Sequence, residues 1–284
     1  MRRTLPDLSI RQLEYLVAVS EAPNWATAAA SVGVSASALS QGLAELERRV
    51  GLPLFDREGR RRVLRPSAGE LLAHARQVVA LTGDLAEWAE RVRTGRGGTL
   101  RVGMIDAAAV GHFPEVLRHF RLDHPELEFR LRVAPSAQLL DELVLGALDL
   151  IVCVEPAEPR RGVVTQPLLT EDLAVFAPDG RPAPDPRAWG PWVLFAVGSH
   201  TRSVIDAALR ELGCVVEIVA ESNQPEVLRA MVGLGVGCTV LPVVQSGPEL
   251  GAARVIASRR LVIAYREGAA VDPAARMLEE RLRA

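Results

Sequence analysis

Hydrophobic residues recur at helical spacing through residues 10–57 and predict three short, successive helices. The apolar face of the first helix consists of Leu13, Leu16, Val17 and Val19. This helix must end at Ala22-Pro23, because proline lacks an amide donor and disfavours helical backbone in the residue before it. Asn24 suits the N-cap of the second helix, and Gly33 ends that helix.

The third helix follows Ser35, whose hydroxyl can accept a hydrogen bond from an early backbone amide. Its buried face consists of Leu39, Leu43, Leu46 and Val50. The opposite face carries Ala36, Ser37, Ser40, Gln41 and Arg48. Hydroxyl and amide groups suit the base edges of DNA, whereas arginines suit phosphates or guanine. We therefore predict a helix-turn-helix whose third helix enters the major groove, with Asn24 and Ser35 added to the candidate DNA contacts.

A basic hairpin is predicted directly after the third helix. Its tip holds four candidate DNA contacts: Arg57, Arg60, Arg61 and Arg62. Such a hairpin would lie along the DNA backbone or enter a minor groove. A solvated surface turn is the alternative for an arginine cluster taken alone, but the neighbouring helix-turn-helix favours DNA. Residues 8–66 are therefore predicted to form a winged helix-turn-helix domain.

One long amphipathic pattern occupies residues 67–94. Its apolar positions are Leu71, Leu72, Ala75, Val78, Val79, Leu85, Trp88, Ala89 and Val92. A helix of this length would expose an apolar stripe unless a second copy of the chain covered it, which predicts a homo-oligomer. The glycine-rich residues 95–98 then predict a flexible hinge.

From Thr99 onward, short apolar runs alternate with helical patterns, which predicts a largely parallel sheet covered by helices. The predicted strands are 100–105, 128–134, 148–154, 173–177, 192–197, 215–219, 237–241 and 260–265. The predicted helices are 113–123, 137–145, 202–212, 224–234 and 273–283. We expect residues 99–284 to form a two-lobed α/β domain, with lobe I at about 99–166 and 255–284 and lobe II at about 167–254.

Two lobes joined by crossing strands imply a cleft, and ligands of open α/β sheets bind beyond the carboxyl ends of strands, near helix N-termini. This rule selects Asp106, Ala107, Ser136, Ser199, His200, Thr201 and Asn223. Their hydroxyls and free amides favour a small polar ligand, and an anion in particular. Helix capping is the alternative role for Ser136, Ser199 and Asn223. Asp106 and His200 would bind an amine and a carboxylate, or would pair with each other.

The distribution of charge and of apolar residues along the chain limits the possible functions. The first 66 residues hold ten arginines against seven acidic residues, whereas the whole chain has a net charge of −2. The excess of positive charge therefore lies in the predicted DNA-binding domain. Every basic residue is arginine, which we attribute to the coding bias of a GC-rich bacterium. No run approaches the roughly 20 apolar residues of a membrane span, and the N-terminus lacks the apolar region of a secretory signal, so we expect a cytoplasmic protein.

Enzyme motifs are missing from the sequence. The five histidines form no His-Glu-x-x-His pattern, a chain without lysine has no Walker phosphate loop, and no Gly-x-Ser-x-Gly elbow occurs. Cys153, Cys214 and Cys238 lack metal spacing and are expected to be buried thiols. We therefore predict neither catalytic residues, nor a metal site, nor a cofactor.

Four motifs carry a resemblance to a known family. They are Arg-Gln-Leu-x-Tyr-Leu-x-Ala-Val from Arg11, Ala-Ala-x-x-Val-Gly-Val-Ser from Ala28, Ala-Leu-Ser-Gln from Ala38, and Leu-Glu-x-x-x-Gly-x-Pro-Leu-Phe-x-Arg from Leu46. In these the chain resembles the LysR-type bacterial transcriptional regulators. The resemblance implies a winged helix-turn-helix, a dimerising linker helix and a C-terminal effector domain shaped like a periplasmic binding protein.

Two departures from that family stand out. Members usually have glutamine and proline where Ala36 and Ser37 stand, so a common base-reading amide is missing. One branch senses peroxide through a cysteine that follows a Gly-His pair, and the comparable segment here, Gly198-Ser199-His200-Thr201, offers Thr201 instead. The resemblance to the peroxide-sensing branch therefore stops at this position.

These patterns together predict a sequence-specific transcriptional regulator that binds double-stranded operator DNA as a dimer or tetramer. A small polar metabolite, of a kind that the sequence does not identify, would act as effector by closing the cleft. RNA polymerase is a further candidate partner. A constitutive regulator with a vestigial cleft is the main alternative. A cytoplasmic solute-binding protein is a weaker one, because it would have no use for a DNA reader.

Overall fold

The computed structural model describes residues 7–58, 61–94, 98–178, 180, 182–247, 254–269 and 272–284. The chain divides into two compact units, Met1–Thr94 with Val144–Gly146, and Gly95–Leu143 with Ala147–Ala284. Each unit is described separately below.

The first unit is helical, with a small β-hairpin. Its elements are helices α1 (Ile10–Glu21), α2 (Trp25–Ser31) and α3 (Ala36–Val50), strands β1 (Phe55–Glu58) and β2 (Arg61–Leu64), and helix α4 (Gly69–Thr94). One turn of 3₁₀-helix, Pro66–Ala68, precedes α4. The three predicted short helices, the hairpin and the long helix are thereby confirmed.

Local sequence signals explain why these helices start and stop where they do. The Asn24 side chain accepts a hydrogen bond from the amide of Thr27 at 2.9 Å, and Ser35 accepts one from the amide of Ala38 at 3.2 Å. Gly33 adopts a positive φ of 69° directly after α2, a conformation that favours glycine. Both predicted N-caps and the predicted helix stop are therefore confirmed.

A close contact between α1 and α3 fixes the core of this unit. Leu16, Leu39 and Leu43 are fully buried there. Gly42 lies against the ring of Tyr15, and a Cβ atom at Gly42 would come within 2.7 Å of two ring carbons. The glycine inside α3 therefore serves close packing between helices, which outweighs its cost of about 1 kcal/mol in helix propensity.

Helix α4 uses its apolar residues in two ways, which corrects the sequence-based prediction of one stripe for a second copy. Leu72 and Ala75 are buried in the core formed with α1 to α3, and Leu71 packs against the same core. The side chains of Val78, Leu81, Leu85 and Trp88, here called the linker stripe, remain exposed. The side chain of Val92 lies outside the described residues.

The second unit is built on a six-stranded sheet of order β4-β3-β5-β10-β6-β9 and a two-stranded sheet of β7 and β8. The strands are β3 (Thr99–Met104), β4 (Glu128–Val133), β5 (Leu150–Val154), β6 (Val163–Phe176), β7 (Trp192–Leu194), β8 (Ile218–Glu221), β9 (Thr239–Pro242) and β10 (Arg254–Arg266). The helices are α5 (Pro114–Asp123), α6 (Ser136–Val144), α7 (His200–Glu211), α8 (Pro225–Gly233) and α9 (Pro273–Arg283).

Two long strands differ from the sequence-based prediction. Strands β6 and β10 pair antiparallel along most of their lengths, so the sheet is mixed rather than largely parallel. The predicted strands 173–177 and 260–265 are parts of these two crossing strands. Pro167 interrupts the largely exposed first half of β6, so this half lacks a recognisable strand pattern, and a register shift between Leu261 and Val262 accommodates the proline.

The crossing strands join two hydrophobic cores, as predicted for two lobes. One core includes Leu100, Val152 and Ile263, and the other includes Val175, Trp192 and Leu241. A π-helical turn, Ala107–His112, follows β3 and was not predicted. It carries Asp106 and Ala107 to the point where the two lobes face each other.

Candidate functional site

The predicted DNA-reading surface is the N-terminal half of α3. Ala36, Ser37 and Gln41 are exposed, and Ser40 is half-buried. The hydroxyls of Ser35 and Ser37 lie 2.9 Å apart, so Ser37 is held close to the helix start. Asn24 and Ser35 cap their own helices, which leaves Ser37 and Gln41 as the exposed polar groups of this half-helix.

Arg48, expected to face DNA, is held by a carboxylate of its own helix. Its Nε lies 2.7 Å from Glu45 Oε2, and Arg49 Nε lies 2.6 Å from Glu45 Oε1. The two guanidinium groups lower the pKa of Glu45 to about 2, so this carboxylate stays ionised at neutral pH. Glu45 therefore competes with a DNA phosphate for Arg48. Its spacing of three and four residues from the arginines is the sequence signal that would have revealed it.

The hairpin of β1 and β2 is anchored to the helices. The rings of Trp25 and Phe55 meet edge to face with centroids 5.2 Å apart. Glu47 Oε1 accepts a hydrogen bond from the amide of Leu54 at 2.7 Å. In the backbone register of the hairpin, Arg57 lies opposite Arg62 and Glu58 lies opposite Arg61. Arg60, and the side chains of Arg57, Arg61 and Arg62, lie outside the described residues.

A cavity of about 440 Å³ lies between the two lobes of the second unit. Six of the seven predicted ligand residues line it: Asp106, Ala107, Ser136, Ser199, Thr201 and Asn223. His200 does not, although it opens α7 between two residues that do. Its Nδ1 is buried without a hydrogen-bond partner. The structure thus brings the predicted residues of both lobes to one cleft, with His200 as the exception.

The alternative role of helix capping does not apply to the three residues for which we considered it. The Ser136 hydroxyl instead accepts a hydrogen bond from the amide of Val154 at 3.1 Å. Ser199 stands at the N-cap position of α7 but makes no capping hydrogen bond. At the start of α8, Ser222 rather than Asn223 accepts the amide of Gln224, at 3.1 Å. Ser199 and Asn223 therefore keep their polar groups available to the cavity.

A buried ion pair at the cavity wall was missed by sequence reasoning. Arg259 and Glu171 are both about 95% buried, with Nη2 of Arg259 2.6 Å from Oε1 of Glu171. Arg259 also donates to the hydroxyl of Thr201, while His112 Nε2 lies 2.7 Å from Glu171 Oε2. Burial lowers the pKa of Arg259, and Glu171 opposes that shift. Alternation along β10 places Arg259 on the same side as Leu261, which was the available signal.

Two other residues of the cavity wall are acidic. Asp106 accepts a hydrogen bond from Gln245 Nε2 at 2.5 Å and does not pair with His200, which corrects one of our alternatives. Glu226 also lines the cavity. Burial raises the pKa of Asp106, and the charge of Glu226 raises it further, against the opposing effects of Gln245 and Arg229. The cleft therefore carries, beside the predicted Asp106, a second carboxylate, Glu226, that sequence reasoning did not anticipate.

Within the described ranges, no three or more His, Cys, Asp or Glu side chains cluster as a metal site would require. No helix in the part of the chain that the structure describes is long and apolar enough to cross a membrane.

Comparison with protein families matches both units. Residues 10–70 match the bacterial regulatory helix-turn-helix protein, lysR family, and residues 93–284 match the LysR substrate binding domain. The second match alone covers more than half of the chain.

Individual relatives agree with the family matches. A probable hydrogen peroxide-inducible genes activator of Mycobacterium avium is 32% identical, over 95% of this chain and 92% of that one. A protein of the same description from Streptomyces viridosporus is 35% identical, over 63% of this chain and 57% of that one. The activator IlvY of Salmonella typhimurium is 27% identical, over 85% of each chain.

Solved structures share the fold. Full-length OxyR of Pseudomonas aeruginosa, carrying a cysteine-to-aspartate substitution, has a TM-score of 0.64 and 24% identity, covering 97% of this chain and 98% of that one. The LysR family regulator CbnR has a TM-score of 0.63 and 21% identity, with the same coverage. With the helix-turn-helix and the two-lobed domain both matched along their lengths, the chain belongs to the LysR-type transcriptional regulators, DNA-binding proteins with a C-terminal effector-binding domain.

Proposed function

We propose that this protein reads operator DNA through α3 and the β1–β2 hairpin, and that a small polar metabolite in the cleft controls that binding. The observation that carries the proposal is the cavity lined by polar groups from both lobes, in a chain that also holds a DNA reader. A ligand that contacts both lobes binds the closed arrangement better than the open one. Only such a difference in affinity can shift the population of the two arrangements.

A carboxylate of this metabolite would lie at the start of α7. The first amides of a helix have no partner within the helix, and the Ser199 hydroxyl is free of a capping role. Arg259 stands behind Thr201 at the same part of the wall. These groups support the expectation of an acidic group on the ligand. The polar groups that both lobes bring to the cavity also argue against a vestigial cleft.

Self-association belongs to the same proposal. The linker stripe leaves four large apolar side chains in water, and a second copy of α4 would cover them. Operator DNA read by such an oligomer would contain two half-sites about one helical turn apart.

The DNA-reading surface is tested with two opposite substitutions. Gln41→Ala should weaken binding to a duplex selected from a random pool by roughly 10-fold, while leaving random duplex unaffected, because it removes a base-reading amide. Glu45→Gln should instead strengthen binding to both duplexes and steepen the salt dependence by about one phosphate, because it frees Arg48, whereas Arg49 remains paired with Asp7. Titrations by fluorescence anisotropy at several salt concentrations measure both effects. Equal changes on the two duplexes for both variants would contradict this division of roles.

The response should not depend on a thiol, although two relatives are described as probable activators of hydrogen peroxide-inducible genes. Thr201 stands where the resemblance places the sensing cysteine. Burial raises the pKa of Cys153 to about 12 and also raises the pKa of the half-buried Cys214, and Cys238 is 6% exposed. A thiol reacts as its thiolate, so all three are poor peroxide targets.

Hydrogen peroxide should therefore change the affinity for selected DNA by less than about 2-fold. Anisotropy titrations of the reduced protein before and after peroxide treatment measure this. A peroxide effect that Cys214→Ser abolishes would show that a thiol takes part in sensing.

A further inference from the structure

The charges on the cavity wall do not match a simple anion. Asp106, Glu226 and Arg259 are the ionisable side chains that line the cavity within the described residues. Glu171 already neutralises Arg259 at 2.6 Å. No cationic side chain of the described residues forms a salt bridge with Asp106 or Glu226. The wall therefore offers an ammonium group more negative charge than it offers a carboxylate positive charge.

The two wall carboxylates come from different lobes. Asp106 follows β3 in lobe I, and Glu226 lies in the first turn of α8 in lobe II. Each charge disfavours the other, and the pKa of Asp106 is raised by burial and by Glu226. Without a cation between them, the two carboxylates oppose the approach of the lobes.

A hydrogen bond from Gln245 holds Asp106 in place despite the repulsion between Asp106 and Glu226. Gln245 is 6% exposed and donates to Asp106, and Arg229 Nη1 donates to the backbone oxygen of Gln245 at 2.6 Å. Arg229, whose charge lowers the pKa of Asp106, is thus engaged by the backbone of Gln245 and makes no salt bridge with Asp106. A half-buried carboxylate that a buried amide orients and that makes no salt bridge is better explained by a ligand than by the stability of the fold.

We propose that the effector carries a protonated amine, which Asp106 and Glu226 bind from opposite lobes, as well as a carboxylate at the start of α7. The class that combines these groups at this size is a free amino acid, and a cavity of about 440 Å³ suits a small metabolite. The ammonium group relieves the repulsion between the carboxylates only when both lobes contact it. Binding and closure are therefore coupled. This inference rests on the proposed function, because it assumes that the cleft holds the effector.

A thermal-shift screen tests the inference on the full-length protein. The panel contains the standard amino acids, each beside the 2-oxo acid and the decarboxylated amine of the same side chain. At least one amino acid should raise the Tm, and its 2-oxo acid, which has lost the amine but kept the carboxylate, should not. Stabilisation by 2-oxo acids alone would overturn the ammonium site but leave the effector cleft standing. No stabilisation by any compound of the panel would count against both.

Variants separate binding from folding. Asp106→Asn removes a half-buried charge that makes no salt bridge, while its amide oxygen can still accept from Gln245, so the ligand-free Tm should rise by about 1–4 °C. The same variant should bind the amino acid at least 10-fold more weakly, by calorimetric titration. Glu226→Gln should also weaken binding. Glu211→Gln removes an exposed carboxylate of α7 that does not line the cavity, and should leave affinity unchanged. If Asp106→Asn lowers the ligand-free Tm and keeps the affinity, Asp106 is structural and the inference is wrong.

Discussion

Replacing Glu171 with glutamine is expected to destabilise the effector domain by roughly 3–5 kcal/mol, because it leaves a guanidinium buried without its counter-charge. Arg259 and Glu171 have side chains that are each 4% exposed. Glutamine has almost the same shape as glutamate and can still accept hydrogen bonds. The loss therefore reports the charge rather than a cavity.

The chain provides a matched control one residue away. Arg260 pairs with Glu155 at 3.0 Å, but their side chains are 54% and 37% exposed. Glu155→Gln removes the same charge from an exposed pair and should cost less than about 1 kcal/mol. Urea unfolding, followed by the tryptophan fluorescence to which Trp189 and Trp192 of lobe II contribute, compares the two variants.

A double variant identifies the cause. Glu171→Gln combined with Arg259→Met removes both charges, and should recover a large part of the stability lost by Glu171→Gln alone. No recovery would mean that Arg259 tolerates the loss of Glu171 and that the pair contributes through packing alone.

This ion pair also links the two lobes. His112 reaches Glu171 from the π-helical turn of lobe I, and Arg259 reaches Thr201 at the start of α7 in lobe II. Glu171 and Arg259 face each other on the two crossing strands, β6 and β10. The second residue of α7 is Thr201, which is hydrogen-bonded to Arg259 of β10, and Arg259 is paired with Glu171 of β6. A ligand at the start of α7 thus contacts a helix that is linked to both crossing strands.

Helix limits that depend on residues close by in the chain could be predicted from the sequence. Asn24, Ser35 and Gly33 act within a few residues of their own positions, so the limits of α2 and α3 could be inferred from residue type. Six cleft residues could also be inferred, because strand ends and helix starts converge by a general rule of α/β sheets.

Features that depend on distant pairing could not be inferred in the same way. Arg259 and Glu171 are 88 positions apart, and only the register of β6 against β10 makes them partners. The acidic wall likewise requires Asp106, Glu226 and Gln245 to come together from distant parts of the chain. The inward side of α4 was misassigned because its first half packs on the helices of its own unit.

The second large effect is expected at the linker stripe. Val78, Leu81, Leu85 and Trp88 are 39%, 38%, 62% and 55% exposed. Their spacing of three and four residues places them on one side of the helix, which suits a helix of a second copy. The oligomer should therefore depend on this stripe more than on any charged pair at the surface.

Replacing both Val78 and Leu85 with aspartate should raise the dissociation constant of the oligomer by roughly 100-fold or more, because each copy would bury unpaired charges at the seam. Sedimentation velocity across a concentration series measures this. Ala86→Asp is the matched control, because it places a charge on an exposed position of α4 beside the stripe and should leave assembly unchanged. Binding to a duplex with two half-sites should fall with assembly, whereas binding to a single half-site should not. A wild-type protein that sediments as a monomer at micromolar concentration would contradict the proposal, and the stripe would then need another partner.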